Sequence, residues 1–331
     1  MDPARLPSSG FIDVHHHVVP PFYLSEYRDV IASSRGGSIS PAWLEWTPDR
    51  ALREMDRHDI ETAVVSLSTP GIWFGDRHRA RDAARRCNEY AAQLTQRHPG
   101  RFGRFATIPL PDANGSLREI EYACDVLGAE GVGILTSYEN RWVGHPSYSE
   151  VFEELNRRKA VVFVHPTTPT CCRNLIPEIA PLIAEVPQDT ARAVINLLVS
   201  GTLKHNRDIN FIFAHAGGTL PMIAGRMAQY GPSQLGIHAP HGVDHELRRL
   251  NYDIAGTAYG PAIAALKTMV PISQILLGSD YPYVPIADTV NGMRALDFMP
   301  DELRAIGRDN ALRLLPRLCC KSHSATATPG R

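Results

Sequence analysis

Eight short apolar segments alternate with helical segments along this chain, and no other feature of the sequence restricts the fold as strongly. Strands that alternate with helices form parallel sheets, and eight such strands can close into a barrel. The sequence therefore predicts an α/β fold, a distorted (β/α)8 TIM barrel with insertions after strands 1 and 5. The predicted strands are residues 11–17, 61–68, 105–110, 131–135, 160–165, 209–215, 250–254 and 274–280.

The length of 331 residues suits one such barrel with added segments, since the fold typically needs about 250 residues. We expect residues 1–10 to form an N-terminal arm, 11–318 the barrel and 319–331 a disordered tail. The stretch 18–47 is rich in Pro, Gly and Ser and is too long for an ordinary βα connection, so it is predicted to be an insertion over the barrel mouth. The second insertion is expected to end in a helix at 190–203.

Composition excludes several classes of partner. The formal net charge of -1 gives no electrostatic reason to expect a nucleic acid or an anionic membrane as a partner. No window of the sequence approaches the roughly 20 apolar residues that cross a membrane. The six cysteines lack the spacing of a secreted disulfide framework, so a reducing, cytoplasmic location is expected.

Polar residues close several of the predicted strands. His15 and His17 end the first strand, His165 ends the fifth, His215 ends the sixth and Asp280 ends the eighth. A parallel barrel brings the carboxyl ends of all its strands to one rim, so we expect these side chains to converge there. His15 and His17 share one face of a strand, where two imidazoles can chelate one ion.

Imidazole nitrogens and a carboxylate, with one position left for water, form the ligand set of a catalytic zinc site. Manganese or iron would accept the same ligands, so the residues alone leave the ion open. Each of these residues could instead be a hydrogen-bonded strand end, but five of them in one barrel mouth favour a metal centre. A loop with His238, His241 and His245 lacks a comparable apolar frame and is predicted to be solvated.

Four motifs carry a resemblance to a known family. In combination and order they resemble the amidohydrolase superfamily, and within it the branch of aminocarboxymuconate-semialdehyde decarboxylase. The segments 15–27 and 43–70 most resemble fungal 6-methylsalicylate decarboxylases. The motifs are Ile-Asp-Val-His15-His-His17, Val-Phe-Val-His165-Pro, Phe-Ala-His215-Ala-Gly-Gly-Thr-Leu-Pro and Leu-Gly-Ser-Asp280-Tyr-Pro.

The resemblance implies a ligand set and a catalytic histidine. It implies one divalent ion, usually Zn²⁺ with Mn²⁺ as the alternative, held by His15, His17, His165 and Asp280. It also implies that His215 is the catalytic histidine beside the metal. Asp280 is a second candidate for the proton donor, if it shuttles between ligand and acid.

Four further residues are predicted to contact the substrate. Arg226 matches an arginine that reaches the substrate of a neighbouring subunit, which implies a homodimer, although arginine suits an exposed helix face equally well. Trp46, Trp73 and Phe74 lie in loops after the first two strands, where they could wall an apolar pocket or anchor an insertion. The segment 41–46 lacks a carboxylate-binding arginine of the semialdehyde decarboxylase, which favours a small aromatic monocarboxylate as substrate.

The predicted reaction is the metal-dependent, non-oxidative decarboxylation of a 2-hydroxybenzoic acid. The resemblance points to 6-methylsalicylate, which would give 3-methylphenol and CO2. One alternative is a hydrolase that attacks an ester, lactone or amide with a metal-bound hydroxide. The other is a barrel without activity, in which a metal only stabilises the fold.

Overall fold

The eight parallel strands of the main sheet follow one another in space nearly as they do in sequence. Their order is β1-β2-β3-β4-β7-β8-β9-β10, while β5 and β6 form a separate antiparallel hairpin. The computed structural model describes residues 10–34, 39–173, 175–231, 233 and 237–322. The strands are Phe11–His17 (β1), Ile60–Ser66 (β2), Phe102–Thr107 (β3), Gly131–Leu135 (β4), Ser137–Tyr138 (β5), Arg141–Trp142 (β6), Val161–His165 (β7), Asn210–Phe213 (β8), Asn251–Asp253 (β9) and Ile275–Leu276 (β10).

Backbone hydrogen bonds between the first and last strands close the sheet into a barrel. The Val14 N–H donates to the Leu277 carbonyl at 3.0 Å, and the His17 N–H donates to the Tyr281 carbonyl at 2.7 Å. The chain after β10 therefore continues beside β1. The regular strand β10 itself contains only two residues. The predicted (β/α)8 barrel is confirmed, with an eighth strand shorter than expected.

Helices surround the barrel between successive strands. Among the described residues, no helix combines the length and apolar character needed to cross a membrane. The α-helices are Pro21–Ser34, Pro41–Leu44, Pro48–Arg57, Arg77–Arg97, Ala113–Glu121, Ser149–Arg157, Pro181–Val199, Thr202–His205, Leu220–Tyr230, Val243–Leu247, Gly260–Met269, Ile286–Ala295, Pro300–Arg304, Asn310–Leu314 and Arg317–Ser322.

The interior of the barrel is a packed apolar core, which leaves only one end for a site. Phe105 and Phe163 stack inside it with ring centroids 5.4 Å apart. Leu314 and Leu318, from the last two helices, belong to the same buried cluster. Leu318 lies against Gly103 near the start of β3, so the C-terminal helices cover the amino-terminal end of the barrel. Side chains at the carboxyl ends of the strands can therefore form a site at the opposite end.

The first insertion contains two helices that were not expected from its Pro, Gly and Ser content. Tyr23, Tyr27 and Ile31 lie four residues apart in helix Pro21–Ser34 and are all buried. Such spacing places them on one face of the helix, which packs against the barrel. The Tyr23 hydroxyl also donates to the Gly71 carbonyl in the loop after β2, so the insertion is tied to the barrel mouth.

Other predicted boundaries also differ from the structure, including those of the second insertion and of the C-terminal tail. The helix of the second insertion begins at Pro181 rather than at 190 and continues through Pro187, a residue type that usually interrupts a helix. The first residues of the predicted tail belong to helix Arg317–Ser322. Residues 323–331 of that tail, and residues 1–9 of the predicted arm, lie outside the described residues.

Candidate metal centre and active site

Four buried side chains meet at the carboxyl ends of the strands. His15 and His17 lie at the end of β1, His165 ends β7, and Asp280 follows β10. One potential ligand atom from each lies within 4.8 Å of the others. We call these residues the four-residue cluster. The structure thus brings together all four residues that were predicted as metal ligands.

The distances within the four-residue cluster match those of donors that share one ion. His17 Nε2 lies 2.9 Å from Asp280 Oδ1, and His15 Nε2 lies 3.2 Å from both that oxygen and His17 Nε2. Ligand atoms bound to a tetrahedral ion at about 2.0–2.1 Å lie about 3.3 Å from one another. His165 Nε2 is buried without a hydrogen-bond partner among the described residues, 4.0 Å from Asp280 Oδ1. A cation would satisfy this nitrogen.

The second ring nitrogen of each cluster histidine already has a hydrogen-bond acceptor. Nδ1 therefore carries the proton, and the lone pair of Nε2 is left to bind a metal. These hydrogen bonds run from His15 Nδ1 to Asp253 Oδ2 at 2.9 Å, from His17 Nδ1 to the Ser66 carbonyl at 3.3 Å and from His165 Nδ1 to the Pro166 carbonyl at 2.8 Å.

The electrostatics of the cluster also suit a cation. Burial lowers the pKa of His17 to about 4 and the pKa of His165 to about 3, which keeps both rings in the neutral form that binds metals. Burial also acts to lower the pKa of His15, but the charges of Asp253 and Asp280 raise it to about 10. Two buried carboxylates thus favour a positive charge at this site, which a bound cation would supply in place of the proton on His15.

His215 faces the four-residue cluster without belonging to it. It lies in the turn after β8, its Nε2 is 4.0 Å from Asp280 Oδ2, and its Nδ1 is 2.9 Å from the Ala255 carbonyl. Donation from Nδ1 to this carbonyl leaves Nε2 directed at the cluster. The backbone of His215 has a φ of 56°, a left-handed conformation that costs about 1–3 kcal/mol in residues other than glycine. Such strain is typical of functional positions.

Asp253, at the end of β9, organises the site and was not predicted. Its carboxylate accepts hydrogen bonds from His15 Nδ1, from the His215 N–H at 3.1 Å and from the Ala255 N–H at 2.9 Å. One buried side chain therefore orients a cluster histidine and fixes the turn that carries His215. A signal was present in the sequence, because Asp253 lies near the end of a predicted strand, as His165 does.

Asp13 supports the other side of the site. Its carboxylate accepts hydrogen bonds from the His15 N–H at 3.0 Å and from Ser279, whose N–H and hydroxyl lie at 2.9 Å and 2.6 Å. The pairing of β1 with β2 shifts register between Asp13 and His16, so simple alternation does not place Asp13 in the cluster. Asp13 instead ties the end of β1 to the segment that carries Asp280.

A cavity of about 100 Å³ is lined by the segments after β2, β4 and β7, and Trp73 and Phe74 are in this lining. Its lining also includes Thr167, which follows His165 closely, and Leu135, which pairs with His165 in the sheet. Two of the three aromatic residues predicted to contact the substrate therefore line this cavity, and their contact with a substrate stays a prediction. Trp46 is buried in the apolar core and is not part of the lining described here.

The remaining candidates lie away from the cluster. Arg226 is exposed on helix Leu220–Tyr230, with its guanidinium 4.9 Å from the centroid of the Tyr230 ring. Its predicted contact with a neighbouring subunit is not tested by a single chain. The rings of His241 and His245 lie 5.2 Å apart, but within the described part of the chain their loop contributes to no metal-capable group.

Comparison with known families identifies the class of protein. Residues 12–317 match the Amidohydrolase family, Amidohydro_2. This match extends over most of the chain, from the first strand to the penultimate helix. The chain therefore belongs to the amidohydrolase family.

Individual relatives within this family are named as decarboxylases. The chain is 34% identical to "Decarboxylase yanB" of Aspergillus niger, over 92% of this chain and 87% of that protein. It is 33% identical to "6-methylsalicylic acid decarboxylase" of Penicillium expansum, over 93% of this chain and 96% of that protein. A dihydroxybenzoic acid decarboxylase from Polaromonas sp. JS666, solved with manganese and 2-nitroresorcinol, shares the fold, with a TM-score of 0.81, 21% identity and coverage of 93% and 97%.

Proposed function

We propose that this chain is a metal-dependent decarboxylase that converts 6-methylsalicylate to 3-methylphenol and CO2. The observation that carries the proposal is the similarity, over nearly the whole chain, to a protein named as a decarboxylase of this acid. The buried cluster of three histidines and one aspartate supports it, and so does a cavity lined partly by aromatic side chains and by Leu135, which pairs with His165 in the sheet. The decarboxylases among the relatives favour this reaction over hydrolysis of an ester, lactone or amide with the same ligands.

The proposed metal ligands are His15, His17, His165 and Asp280. Zn²⁺ and Mn²⁺ both accept imidazole and carboxylate ligands, and the Polaromonas decarboxylase was solved with manganese. When bound, the ion would supply Lewis acidity and would orient the carboxylate and the adjacent phenolic oxygen of the substrate. Asp253 and the carbonyls of Ser66 and Pro166 would hold the three imidazoles in the ligating tautomer.

His215 is the proposed proton donor. Its Nδ1–H donates to the Ala255 carbonyl, so the imidazolium form of His215 carries its second proton on Nε2 and can deliver it to the ring carbon that bears the carboxylate. The ring loses its aromaticity as the new C–H bond forms. It regains it when the bond to the carboxylate breaks, since the electrons of that bond return to the ring and CO2 leaves. Asp280, 4.0 Å from His215, is the second candidate donor.

Apolar side chains of the cavity would hold the substrate ring. Trp73, Phe74 and Leu135 present large apolar surfaces in the lining, and the Trp73 ring is fixed by donation from its Nε1 to Glu139 at 2.8 Å. Such a wall suits a benzene ring and excludes water from the reacting carbon. We further propose a homodimer in which the exposed Arg226 reaches the substrate of the neighbouring subunit.

A comparison of substrates tests the proposed reaction. We expect the purified protein, loaded with Zn²⁺ or Mn²⁺, to release CO2 and 3-methylphenol from 6-methylsalicylate. The matched acid without the hydroxyl group, 2-methylbenzoate, should not react, because it offers no phenolic oxygen to the ion. The measurement is product separation by liquid chromatography alongside CO2 detection. Release of acid from an ester panel, without any CO2 from hydroxybenzoates, would support the hydrolase instead.

Asp253→Asn is expected to weaken metal binding by about 10–100-fold, the usual effect of losing a carboxylate that orients a ligating histidine. The amide keeps the shape of the side chain but removes the charge that orients His15. Competition with a chelating indicator would measure the affinity. Glu246→Gln is the matched control, because Glu246 is equally buried but pairs with Arg207 and Arg249. Equal affinities in both variants would contradict the role given to Asp253.

A further inference from the structure

Two adjacent thiols lie in the insertion after β7, outside the site described above. Cys171 and Cys172 form part of a short turn, Thr170–Cys172, and their Sγ atoms are 3.3 Å apart. Both cysteines are free, with Cys171 exposed and Cys172 buried. The structure therefore holds two reduced sulfur atoms in contact, with one of them accessible to small molecules.

The turn that carries these thiols is also a wall of the cavity that Trp73 and Phe74 line. Thr170 and Arg173, which flank the pair, both contribute to the cavity lining. The Cys171 N–H donates to Asn140 Oδ1 at 3.1 Å, and Asn140 belongs to the same lining from the β5–β6 hairpin. A change in the backbone of this turn would therefore alter the shape of the cavity on two sides.

We propose that Cys171 and Cys172 are a redox modification site, a vicinal dithiol whose oxidation to an intrachain disulfide remodels the cavity. The oxidant is a hydroperoxide or a low-molecular-weight disulfide. Each thiol gives up its proton, one S–S bond forms, and the two electrons reduce the hydroperoxide to an alcohol and water, or the disulfide to two thiols. The effect on catalysis rests on the proposed decarboxylase function.

The geometry of neighbouring cysteines makes such a bond reversible. Adjacent Cα atoms are about 3.8 Å apart, whereas disulfides usually join Cα atoms that are about 4.4–6.8 Å apart. A bond between neighbours is strained for this reason, and strained disulfides are the easily reduced ones. Closing the ring also requires the backbone of the Thr170–Cys172 turn to change, which moves its cavity-lining neighbours.

The two thiols differ in reactivity. Burial raises the pKa of Cys172 to about 11, so little of it is thiolate at neutral pH. The exposed Cys171 is therefore the thiol that meets the oxidant first, because oxidation requires access of the oxidant to the sulfur. Cys172, already in contact, then completes the disulfide.

Peptide mass analysis of the full-length protein tests the modification. Trypsin should release residues 160–173 as one peptide, which contains both cysteines and no other. After treatment with hydrogen peroxide we expect this peptide to lose two hydrogens. We also expect kcat/KM for 6-methylsalicylate to fall by about tenfold. A displacement of the substrate by about 1 Å from its reactive position can cost about a hundredfold, and a smaller displacement should cost less. Dithiothreitol should restore both the mass and the activity.

Cysteine variants provide the controls. Cys171→Ser and Cys172→Ser should be active and insensitive to peroxide, whereas Cys319→Ser, at an exposed cysteine in the last helix, should respond as wild type does. A peptide that keeps both thiols free, or a disulfide that changes neither activity nor hydrogen exchange of residues 136–140 and 167–173, would overturn the proposal. The mass and exchange readouts need no substrate, so failure of the decarboxylase assay would be recognised separately.

Discussion

His215→Ala is expected to lower kcat for decarboxylation by about a hundred- to ten-thousand-fold, the usual contribution of a positioned general acid. The variant removes Nε2, the nitrogen directed at the four-residue cluster, but none of the four ligand atoms themselves. The metal content should therefore stay at the wild-type level while turnover collapses. Product formation and metal analysis on the same preparation would measure both.

The matched control for this variant is His241→Ala. His241 is exposed in a loop away from the cluster, so its loss should leave kcat unchanged. Full activity of His215→Ala would contradict the role of His215 as proton donor and leave Asp280 as the candidate. Loss of metal from His215→Ala would instead mean that the turn after β8 supports the ligands, through its hydrogen bond to Asp253.

Most residues of the site could be predicted because they end a strand. His165 and Asp280 each close an apolar run, and a parallel barrel brings such positions to one rim. This rule needs only the strand pattern, so it could place residues that lie far apart in sequence. The same rule applies to Asp253, which is the last residue of β9. The predicted strand ended one residue later, at Ile254, so Asp253 was not recognised as a strand end.

Contacts that depend on how the barrel closes could not be predicted in this way. Asp13 accepts hydrogen bonds from Ser279, a residue 266 positions away, only because the segment after β10 runs beside β1. The left-handed backbone of His215 is likewise imposed by its neighbours, since that conformation is uncommon in residues other than glycine. Such features follow from the tertiary structure and leave no local pattern.

The first insertion shows a different limit. Its Pro, Gly and Ser content predicted an insertion but not its secondary structure, and residues Pro21–Ser34 of it form a helix. The buried residues Tyr23, Tyr27 and Ile31 supply the apolar face that stabilises this helix, since tertiary packing outweighs local preference in short helices. The aromatic residues that do line the cavity, Trp73 and Phe74, come from the loop after β2.

Removal of the metal is expected to abolish decarboxylation and to lower stability together. A ligand that binds only the folded state adds about 2.7 kcal/mol to the free energy of unfolding when present at 100 times its Kd. Treatment with a chelator should therefore lower the denaturation midpoint, and added Zn²⁺ or Mn²⁺ should restore it. Asp280→Asn should reproduce the loss of activity in the presence of metal, because it removes the one carboxylate of the cluster.

Asp189→Asn is the matched control for Asp280→Asn. Asp189 is also buried but accepts hydrogen bonds from Thr136 and Trp142 rather than contacting histidines. Asp189→Asn should keep its metal and its turnover. If only Asp280→Asn loses turnover, the reaction depends on the four-residue cluster rather than on buried carboxylates in general. The same pair separates a catalytic metal from a purely structural one. If the chelated protein still released CO2 from 6-methylsalicylate at a temperature where it stays folded, the metal would act on stability alone.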